Sequence, residues 1–323
     1  MKVSVFCLAY NHEKYIRSAL NGFVNQKTDF KYEVFVHDDA STDATPQIIE
    51  EYAHKYPDII KPIYQQENQY AKGIKILATY ILPKMTGEYI AVCEGDDYWT
   101  DPLKLQRQAD FLDHNPEYVA CVHNTTKKDM VTGREEEMYS HLCDEDILFE
   151  EAVQGGSFSY HTSSLMYRME YAGIKPDFYG KVSGVGDYQL AIFLTLSGKV
   201  RFLNDSMSVY RMNVAESWTM RNRLDMRRTA SVYEGISDML EEVNKYTEFR
   251  YKDILENLIL KNQYLSLLFA ERYGELRKAP YRDIFYSKSI LYRLKIYFRQ
   301  YFNKLYHFCR YFFYGRRLSK KSM

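Results

Sequence analysis

The sequence predicts an α/β fold with a mostly parallel central sheet flanked by helices, followed by a helical C-terminal extension. Three observations lead to this prediction. Short apolar runs alternate with segments of helical periodicity through about the first 120 residues. The runs lack polar alternation, which indicates strands buried on both faces of the sheet. Polar clusters follow several runs at their carboxyl ends, where α/β proteins bind ligands.

The predicted strands of the first half are the apolar runs at 3–8, 32–36, 59–64, 89–93 and 118–122. Because proline cannot donate to a neighbouring strand, Pro62 favours an edge position for the third. Predicted helices lie between the strands, at 15–24, 45–55, 74–82 and 102–114. Asn11 is expected to cap the first helix, Pro46 suits the first turn of the second, and Pro83 is expected to end the third.

The regular alternation ends after the fifth strand. Residues 127–146 are charged and lack apolar periodicity, so we expect an irregular excursion there. Further strands are predicted at 165–167, 200–203 and 207–210, with a helix starting at Asp187. From about residue 221 the apolar spacing is helical, and Pro280 marks a break. The predicted divisions are therefore a main domain, a helical extension and a tail, at 1–220, 221–279 and 280–323.

Composition limits the classes of protein to which this chain can belong. The 43 basic and 43 acidic residues balance, yet from Tyr281 onward Asp283 is the sole acidic residue among many Lys and Arg. Five cysteines without paired spacing predict reduced, buried thiols in a cytosolic protein and no zinc site. The sequence shows no basic-then-apolar leader and no apolar run of about 18 residues. We therefore expect neither an export signal nor a membrane span.

An acidic cluster follows the fourth predicted strand, at Glu94, Asp96 and Asp97. Carboxylates this close repel one another unless a cation or hydrogen-bond donors compensate their charge. Oxygen ligands favour a hard ion, so the cluster predicts a Mg²⁺ or Mn²⁺ site. The alternative is an acidic turn in which Asp101 caps the next helix.

Three blocks of sequence together resemble the signature of family 2 glycosyltransferases. They are 3–11, the segment His37-Asp38-Asp39-Ala40-Ser41-Thr42-Asp43, and 87–106 with its acidic cluster. The resemblance implies the GT-A nucleotide-diphospho-sugar transferase fold over 1–220, a nucleotide-sugar donor and inversion of the anomeric configuration. It also implies a Mn²⁺ or Mg²⁺ cofactor. Asp97 is the expected metal ligand, and Asp96 is expected beside the metal, where it contacts the ribose or the donor sugar.

The resemblance implies that residues at the strand ends, together with an arginine later in the chain, bind the nucleotide-sugar. They are Ala9, Tyr10, Asn11, Asp38, Asp39, Asp96 and Arg211. Of these, Ala9 and Tyr10 resemble the nucleobase contacts, and one of Asp38 and Asp39 reads the uracil N–H, for which a carboxylate is a suitable acceptor. Arg211 resembles a phosphate contact, although a structural pairing with Asp or Glu is an alternative. Asn213 stands where the family often has a histidine.

Asp187 resembles the catalytic base that takes the proton of the acceptor hydroxyl. The family has an acidic pair at this place, whereas here Gly186 precedes Asp187. Helix capping is the alternative role for Asp187. His161 and Trp218 lie where acceptor contacts are expected, with Trp218 in a segment that resembles a lid. A lone histidine, however, is more often structural.

The tail carries an apolar stripe at helical spacing, with basic residues between its members: Leu291, Leu294, Phe298, Tyr301, Leu305, Phe308 and Phe312. Such a helix suits an anionic membrane surface, and a lipid-linked acceptor would account for it. The alternative is packing against protein. Nothing else in the chain indicates nucleic-acid binding.

These features predict a glycosyltransferase that moves a sugar, most simply from a UDP-sugar, to a saccharide or lipid-linked saccharide. The predicted setting is cell-surface polysaccharide synthesis, on the inner face of the cell membrane. A sugar nucleotidyltransferase is one alternative, but Ala9-Tyr10-Asn11-His12 lacks the glycine-rich, basic loop that it would need. A catalytically silent scaffold is another, and the retained acidic sites disfavour it. The sequence leaves the oligomeric state open.

Overall fold

The computed structural model describes residues 1–141, 143–155, 159–174, 176–182, 184–214 and 225–302. The chain divides into two compact units, of which the first comprises Met1–Tyr179 and Val185–Ser217. The second comprises Gly180–Gly184 and Trp218–Met323.

The first unit is built on a ten-stranded mixed sheet. Its strands are β1 Val3–Ala9, β2 Tyr32–Asp38, β3 Ile60–Tyr64, β4 Tyr89–Val92, β5 Tyr98–Trp99, β6 Tyr118–Asp129, β7 Glu135–Glu137, β8 Glu145–Ile147, β9 Met166–Arg168 and β10 Lys199–Met212. The order is β3-β2-β1-β4-β9-β6-β10-β5, with β7 beside β6 and β8 beside β10. The pairs among β1 to β4, and the pair β6 with β10, are parallel. Pro62 lies on the edge strand β3, as predicted.

The helices of the first unit cover the sheet. They are α1 Ile16–Val24, α2 Thr45–Lys55, α3 Lys104–His114, α4 Phe149–Gly155 and α5 Gly186–Ser197. The core of the described residues includes a hydrophobic cluster with Val5 and Leu20 and another with Ile90 and Phe202. Because β1, β2 and β4 are parallel neighbours, their carboxyl ends meet at one edge of the sheet.

Three predictions for this unit require correction. Residues 74–82 do not form a regular α-helix: a π-helical turn at Leu77–Ile81 continues into a 3₁₀ turn at Leu82–Lys84, which contains Pro83. The expected irregular excursion contains the hairpin of β6 and β7, where ion pairs such as Lys127 to Glu136 replace apolar contacts. The two strands predicted at 200–203 and 207–210 form the single irregular strand β10.

The described part of the second unit is helical, with α6 Met226–Tyr246, α7 Lys252–Phe269, α8 Arg282–Ser287 and α9 Ile290–Tyr301. Ile296 of α9 is buried in a cluster with Tyr264 and Phe285. The predicted apolar stripe is exposed as far as residue 301, whereas Leu305, Phe308 and Phe312 lie outside the described residues. No helix in the described ranges is both long and apolar enough to span a bilayer.

Candidate active site

The acidic cluster lies in a tight turn between β4 and β5, packed over the end of β1. The Gly95 N–H donates to Leu8 O at 2.9 Å, and the Asp97 N–H donates to Glu94 O at 3.1 Å. A side chain at residue 95 would place its Cβ 2.8 Å from His12 Nδ1 and 2.9 Å from Ile16 Cδ1. Glycine fits this close approach, since a Cβ here would require the His12 and Ile16 side chains to move and would lie 3.2 Å from Leu8 O.

Asp97 is the buried member of the cluster, with 4% of its surface exposed. Its Oδ1 accepts the backbone N–H of Arg211 at 2.9 Å. Burial, followed by the charge of Asp96, raises the pKa of Asp97 well above its usual range. One oxygen of the carboxylate is therefore held by the backbone, and burial makes its negative charge costly.

Arg211 lies at the carboxyl end of β10 and reaches the acidic turn. Its Nη1 donates to the backbone O of Asp96 at 2.6 Å. The guanidinium carbon lies 4.3 Å from the ring centre of Tyr98 and 5.3 Å from that of Tyr15. Among the described residues, no Asp or Glu side chain lies within ion-pair distance of the Arg211 guanidinium. Its charge is held by aromatic rings at the edge of the cluster.

The loops after β1 and β2 are joined by hydrogen bonds. The Asn11 N–H donates to Ser41 Oγ at 2.9 Å, and the Thr42 N–H donates to Asn11 Oδ1 at 2.8 Å. Asn11 has a φ of 57°, a left-handed conformation that Asn tolerates. It does not cap α1, which begins at Ile16 after Tyr15, because its side chain already bonds Thr42. Asn11 therefore holds two strand-end loops together.

Asp38 and Asp39 have different surroundings. The two carboxylate oxygens of Asp39 accept the N–H groups of Gln69 at 2.7 Å and Tyr70 at 3.0 Å. Asp38 uses Oδ2 to accept the Ser41 N–H at 3.2 Å, while its buried Oδ1 has no hydrogen-bond partner among the described residues. An acceptor left in this state costs about 1–3 kcal/mol, and a ligand donor can recover that energy. The Ala9 carbonyl, also predicted as a base contact, accepts the Asp39 N–H at 3.0 Å, and Tyr10 next to it is half-buried.

Asp187 lies in the first turn of α5 and is not the N-cap residue, which is Val185. Its Oδ1 accepts the N–H of Tyr188 at 2.8 Å. Desolvation and the charges of Asp96 and Asp187 raise the pKa of Glu94, although the Glu94 residue is exposed at the surface, where solvent weakens such effects. The predicted base and the acidic turn are therefore close enough to interact electrostatically, although Asp187 is about 90 residues later in the chain.

Two tyrosines near Asp187 were not predicted from the sequence. The hydroxyls of Tyr139 and Tyr160 are buried without a hydrogen-bond partner among the described residues. Burial, with the Asp187 charge, raises the pKa of both. Nothing in the spacing of these two residues marks them, since the hairpin and the turn before β9 bring them together only in the fold.

His161 lies next to the acidic turn, with its Nε2 3.6 Å from Asp97 Oδ2. Its ring centre is 4.4 Å from that of Tyr210. Burial lowers the pKa of His161 to about 4, so the imidazole is neutral at pH 7. Trp218, the other predicted acceptor contact, lies outside the described residues.

The carboxylate oxygens of the turn fit a hard divalent cation whose remaining coordination positions are filled by a bound ligand. Within the described ranges, no group of three or more His, Cys, Asp or Glu side chains could hold a metal ion by itself. Mg²⁺ in nucleotide sites is commonly bound by one or two carboxylates, with phosphate oxygens and water as the remaining ligands. Asp97 and Asp96 could supply the carboxylates.

Comparisons of sequence show which known proteins this chain resembles. Residues 4–217 match glycosyl transferase family 2. The Mycobacterium tuberculosis protein Rv1520 is 36% identical over 250 residues, which is 76% of this chain and 70% of that protein. The Staphylococcus aureus poly(ribitol-phosphate) beta-N-acetylglucosaminyltransferase TarS is 35% identical over 118 residues, which is 36% of this chain and 19% of that protein.

Two solved structures share the fold. The crystal structure of S. aureus TarS 1-349 with UDP-GlcNAc has a TM-score of 0.58 and 19% identity, covering 88% of this chain and 78% of that chain. The mannosyltransferase PcManGT from Pyrobaculum calidifontis, in complex with GDP-Man and Mn²⁺, has a TM-score of 0.54 and 16% identity, covering 93% of this chain and 84% of that chain. The predicted GT-A fold is confirmed.

Proposed function

Because the chain belongs to glycosyl transferase family 2, we propose that it is an inverting, metal-assisted enzyme that transfers a sugar from a UDP-sugar to a saccharide or lipid-linked saccharide. The observation that carries this proposal is the acidic turn at the carboxyl ends of the parallel strands, where the buried Asp97 carboxylate accepts the backbone N–H of Arg211 at 2.9 Å. Cell-surface polysaccharide synthesis is the proposed setting.

Asp38 is the proposed reader of the nucleobase. Its free Oδ1 is an acceptor, which is what the N–H of a uracil imide requires. Both oxygens of Asp39 are already used by the Gln69 and Tyr70 N–H groups, so Asp39 shapes the loop instead. Ala9 and Tyr10 at the end of β1 complete the proposed base site, and Asn11 holds it to the next loop.

Asp97 and Asp96 are the proposed residues for the cation. When bound, Mn²⁺ or Mg²⁺ would offset the negative charge of the departing diphosphate. Arg211 adds a positive charge that no carboxylate of the described chain neutralises in an ion pair. We propose that its guanidinium, fixed against Tyr98, faces the same diphosphate.

Asp187 is the proposed base. The acceptor oxygen forms a bond to the anomeric carbon while the bond from that carbon to the diphosphate oxygen breaks, and the nucleoside diphosphate leaves with the electron pair. Asp187 takes the proton of the acceptor hydroxyl. Attack from the side opposite the leaving group inverts the configuration.

Helix α9 is the proposed membrane contact. Its exposed apolar side chains include Leu291 at 79%, Leu294 at 57% and Phe298 at 40%. Arg293, Lys295 and Arg299 lie between them, so the surface combines apolar area with positive charge. An anionic bilayer matches both properties, which would bring the enzyme to a lipid-linked acceptor on the inner face of the membrane.

The test is nucleotide release from a panel of UDP-, GDP- and TDP-sugars with Mn²⁺, followed by NMR of the anomeric configuration of the product. We expect a UDP-sugar to be used and inversion to be observed. Asp187→Asn should lower turnover roughly 10²- to 10⁴-fold. Asp58→Asn, at an exposed residue before β3, is the matched control. Retention of configuration, or full activity of Asp187→Asn, would contradict the proposed mechanism.

A further inference from the structure

A line of buried polar side chains runs from the centre of the sheet to Asp97. Thr125 Oγ1 on β6 is 3.0 Å from Ser208 Oγ on β10, which is 2.8 Å from Ser163 Oγ. Ser163 Oγ is in turn 2.8 Å from Nδ1 of His161. Thr125, Ser163 and Ser208 are each 0% exposed. Hydroxyls in such a position are expected to hold a neighbouring group in one orientation.

The backbone N–H of Ser163 favours one tautomer of the His161 ring. The Ser163 N–H donates to His161 Nδ1 at 3.2 Å, and this N–H, unlike a hydroxyl, has a fixed direction. A neutral imidazole that accepts this N–H at Nδ1 carries its hydrogen on Nε2. Trp99 Nε1 donates to Ser163 O at 2.8 Å, which fixes the turn that presents this N–H.

Nε2 of His161 faces the Oδ2 of Asp97 at 3.6 Å, and side-chain exposure is 12% for His161 and 6% for Asp97. This separation is longer than a hydrogen bond, but hydrogen bonds at catalytic sites often shorten only when ligands bind. The other oxygen, Oδ1, is already held by the Arg211 N–H at 2.9 Å. One donor on each oxygen would fix the plane of the carboxylate.

We propose that His161 is a positioning residue that directs an Nε2–H donor at Asp97 Oδ2, so that the carboxylate is oriented for a divalent cation and the donor diphosphate. This inference rests on the proposed metal-assisted function. It differs from the acceptor contact expected from the sequence, because Nε2 of His161 faces the Asp97 carboxylate. Loss of a side chain that orients a metal ligand typically lowers metal affinity roughly 10- to 100-fold.

The experiment measures Mn²⁺ binding to the full chain with and without UDP, from the EPR signal of free Mn²⁺. We expect His161→Ala to weaken Mn²⁺ binding roughly 10- to 100-fold. His161→Gln, whose side-chain amide can donate to Asp97, should recover most of the affinity. His54→Ala, at an exposed histidine on α2, is the matched control and should bind as wild type does. Circular dichroism shows whether each variant is folded.

Two results would overturn the inference while leaving the proposed function intact. One is wild-type Mn²⁺ affinity in folded His161→Ala. The other is a coupling from a directly bonded imidazole nitrogen in pulsed EPR of the Mn²⁺-loaded protein, which would make His161 a ligand. If His161→Ala does not fold, His161→Gln decides, because equal loss in a folded Gln variant would contradict the donor role. Absence of any Mn²⁺ binding by the wild-type protein would instead contradict the proposed function, and the inference with it.

Discussion

The backbone N–H of Arg211 donates to Oδ1 of Asp97 at 2.9 Å, across 114 residues of sequence. This bond joins the end of β10 to the acidic turn. Every residue except proline has this N–H, so the bond survives substitution of the Arg211 side chain. The guanidinium and the backbone of Arg211 can therefore be tested separately.

Arg211→Lys should keep the turn in place but weaken binding of the donor. Lysine keeps the positive charge, but it lacks the planar group that stacks on Tyr98 at 4.3 Å. We expect UDP affinity in the presence of Mn²⁺ to fall roughly tenfold, corresponding to about 1.4 kcal/mol, in isothermal titration calorimetry. Arg134→Lys, on the exposed hairpin, serves as the control. Unchanged UDP affinity would mean that the guanidinium has a structural role alone.

Substitution of Asp38 should lower UDP affinity, whereas substitution of Asp39 should lower stability. Asp38→Asn keeps an acceptor for the Ser41 N–H and replaces the free Oδ1 by an amide donor, which would oppose the imide N–H of uracil. UDP affinity should fall by about tenfold or more while the melting temperature changes little. Asp39→Asn leaves one of the Gln69 and Tyr70 N–H groups without an acceptor, so it should lower stability by about 1–3 kcal/mol. The reverse pattern in calorimetry and thermal unfolding would exchange the two roles.

These assignments show how much the sequence alone can predict. Apolar runs such as 3–8 identify buried parallel strands, and polar residues after them, such as Asp97, identify the edge that holds the site. The difference between Asp38 and Asp39 is not visible in sequence, because it depends on the Gln69 and Tyr70 N–H groups, about 30 residues later. The hairpin of β6 and β7 was missed because its strands are joined by charged pairs and carry no apolar alternation.

Lys104 should make stability depend on pH. It is fully buried over the Trp99 ring, with its Nζ donating to Gln108 Oε1 at 2.6 Å, and burial lowers its pKa to about 7. Between pH 7 and about 10.4 the unfolded lysine holds a proton that the folded one has lost, so this residue makes stability rise with pH, by up to ~1.4 kcal/mol per pH unit.

Lys104→Met removes this titration. The free energy of unfolding, measured with urea, should then differ less between pH 7 and pH 9 than it does for the wild type. Lys31→Met, at an exposed lysine, should keep the wild-type slope. The same slope in wild type and Lys104→Met would show that Lys104 stays charged in the folded protein.

Substitution on the exposed face of α9 should weaken membrane binding. Leu291→Ser with Leu294→Ser removes two side chains that are 79% and 57% exposed, so the fold should be unaffected. Vesicles containing phosphatidylglycerol should bind the wild-type protein more tightly than pure phosphatidylcholine vesicles, and the double variant should bind at least about tenfold more weakly. Phe249→Ser, at another exposed apolar residue of the second unit, is the control for cosedimentation. Equal binding by the double variant and the wild type would exclude α9 as the contact.

The buried hydroxyl of Tyr160 should matter for the acceptor and not for the fold. It has no hydrogen-bond partner among the described residues, so Tyr160→Phe removes an unsatisfied group and should leave the melting temperature unchanged or raise it. Because the hydroxyl lies near Asp187, we expect it to meet an acceptor hydroxyl, and the acceptor KM should rise several-fold while the donor KM stays constant.

Tyr188→Phe provides the matched comparison, since the Tyr188 hydroxyl donates to Val153 O at 2.6 Å. Its loss leaves a carbonyl without that donor and should cost about 1–2 kcal/mol of unfolding free energy. Tyr160→Phe and Tyr188→Phe remove the same atom from buried tyrosines, so a difference between them comes from the partner of the hydroxyl. If Tyr160→Phe destabilises the protein as much as Tyr188→Phe does, the Tyr160 hydroxyl has a partner within the fold. Its proposed contact with the acceptor would then be excluded.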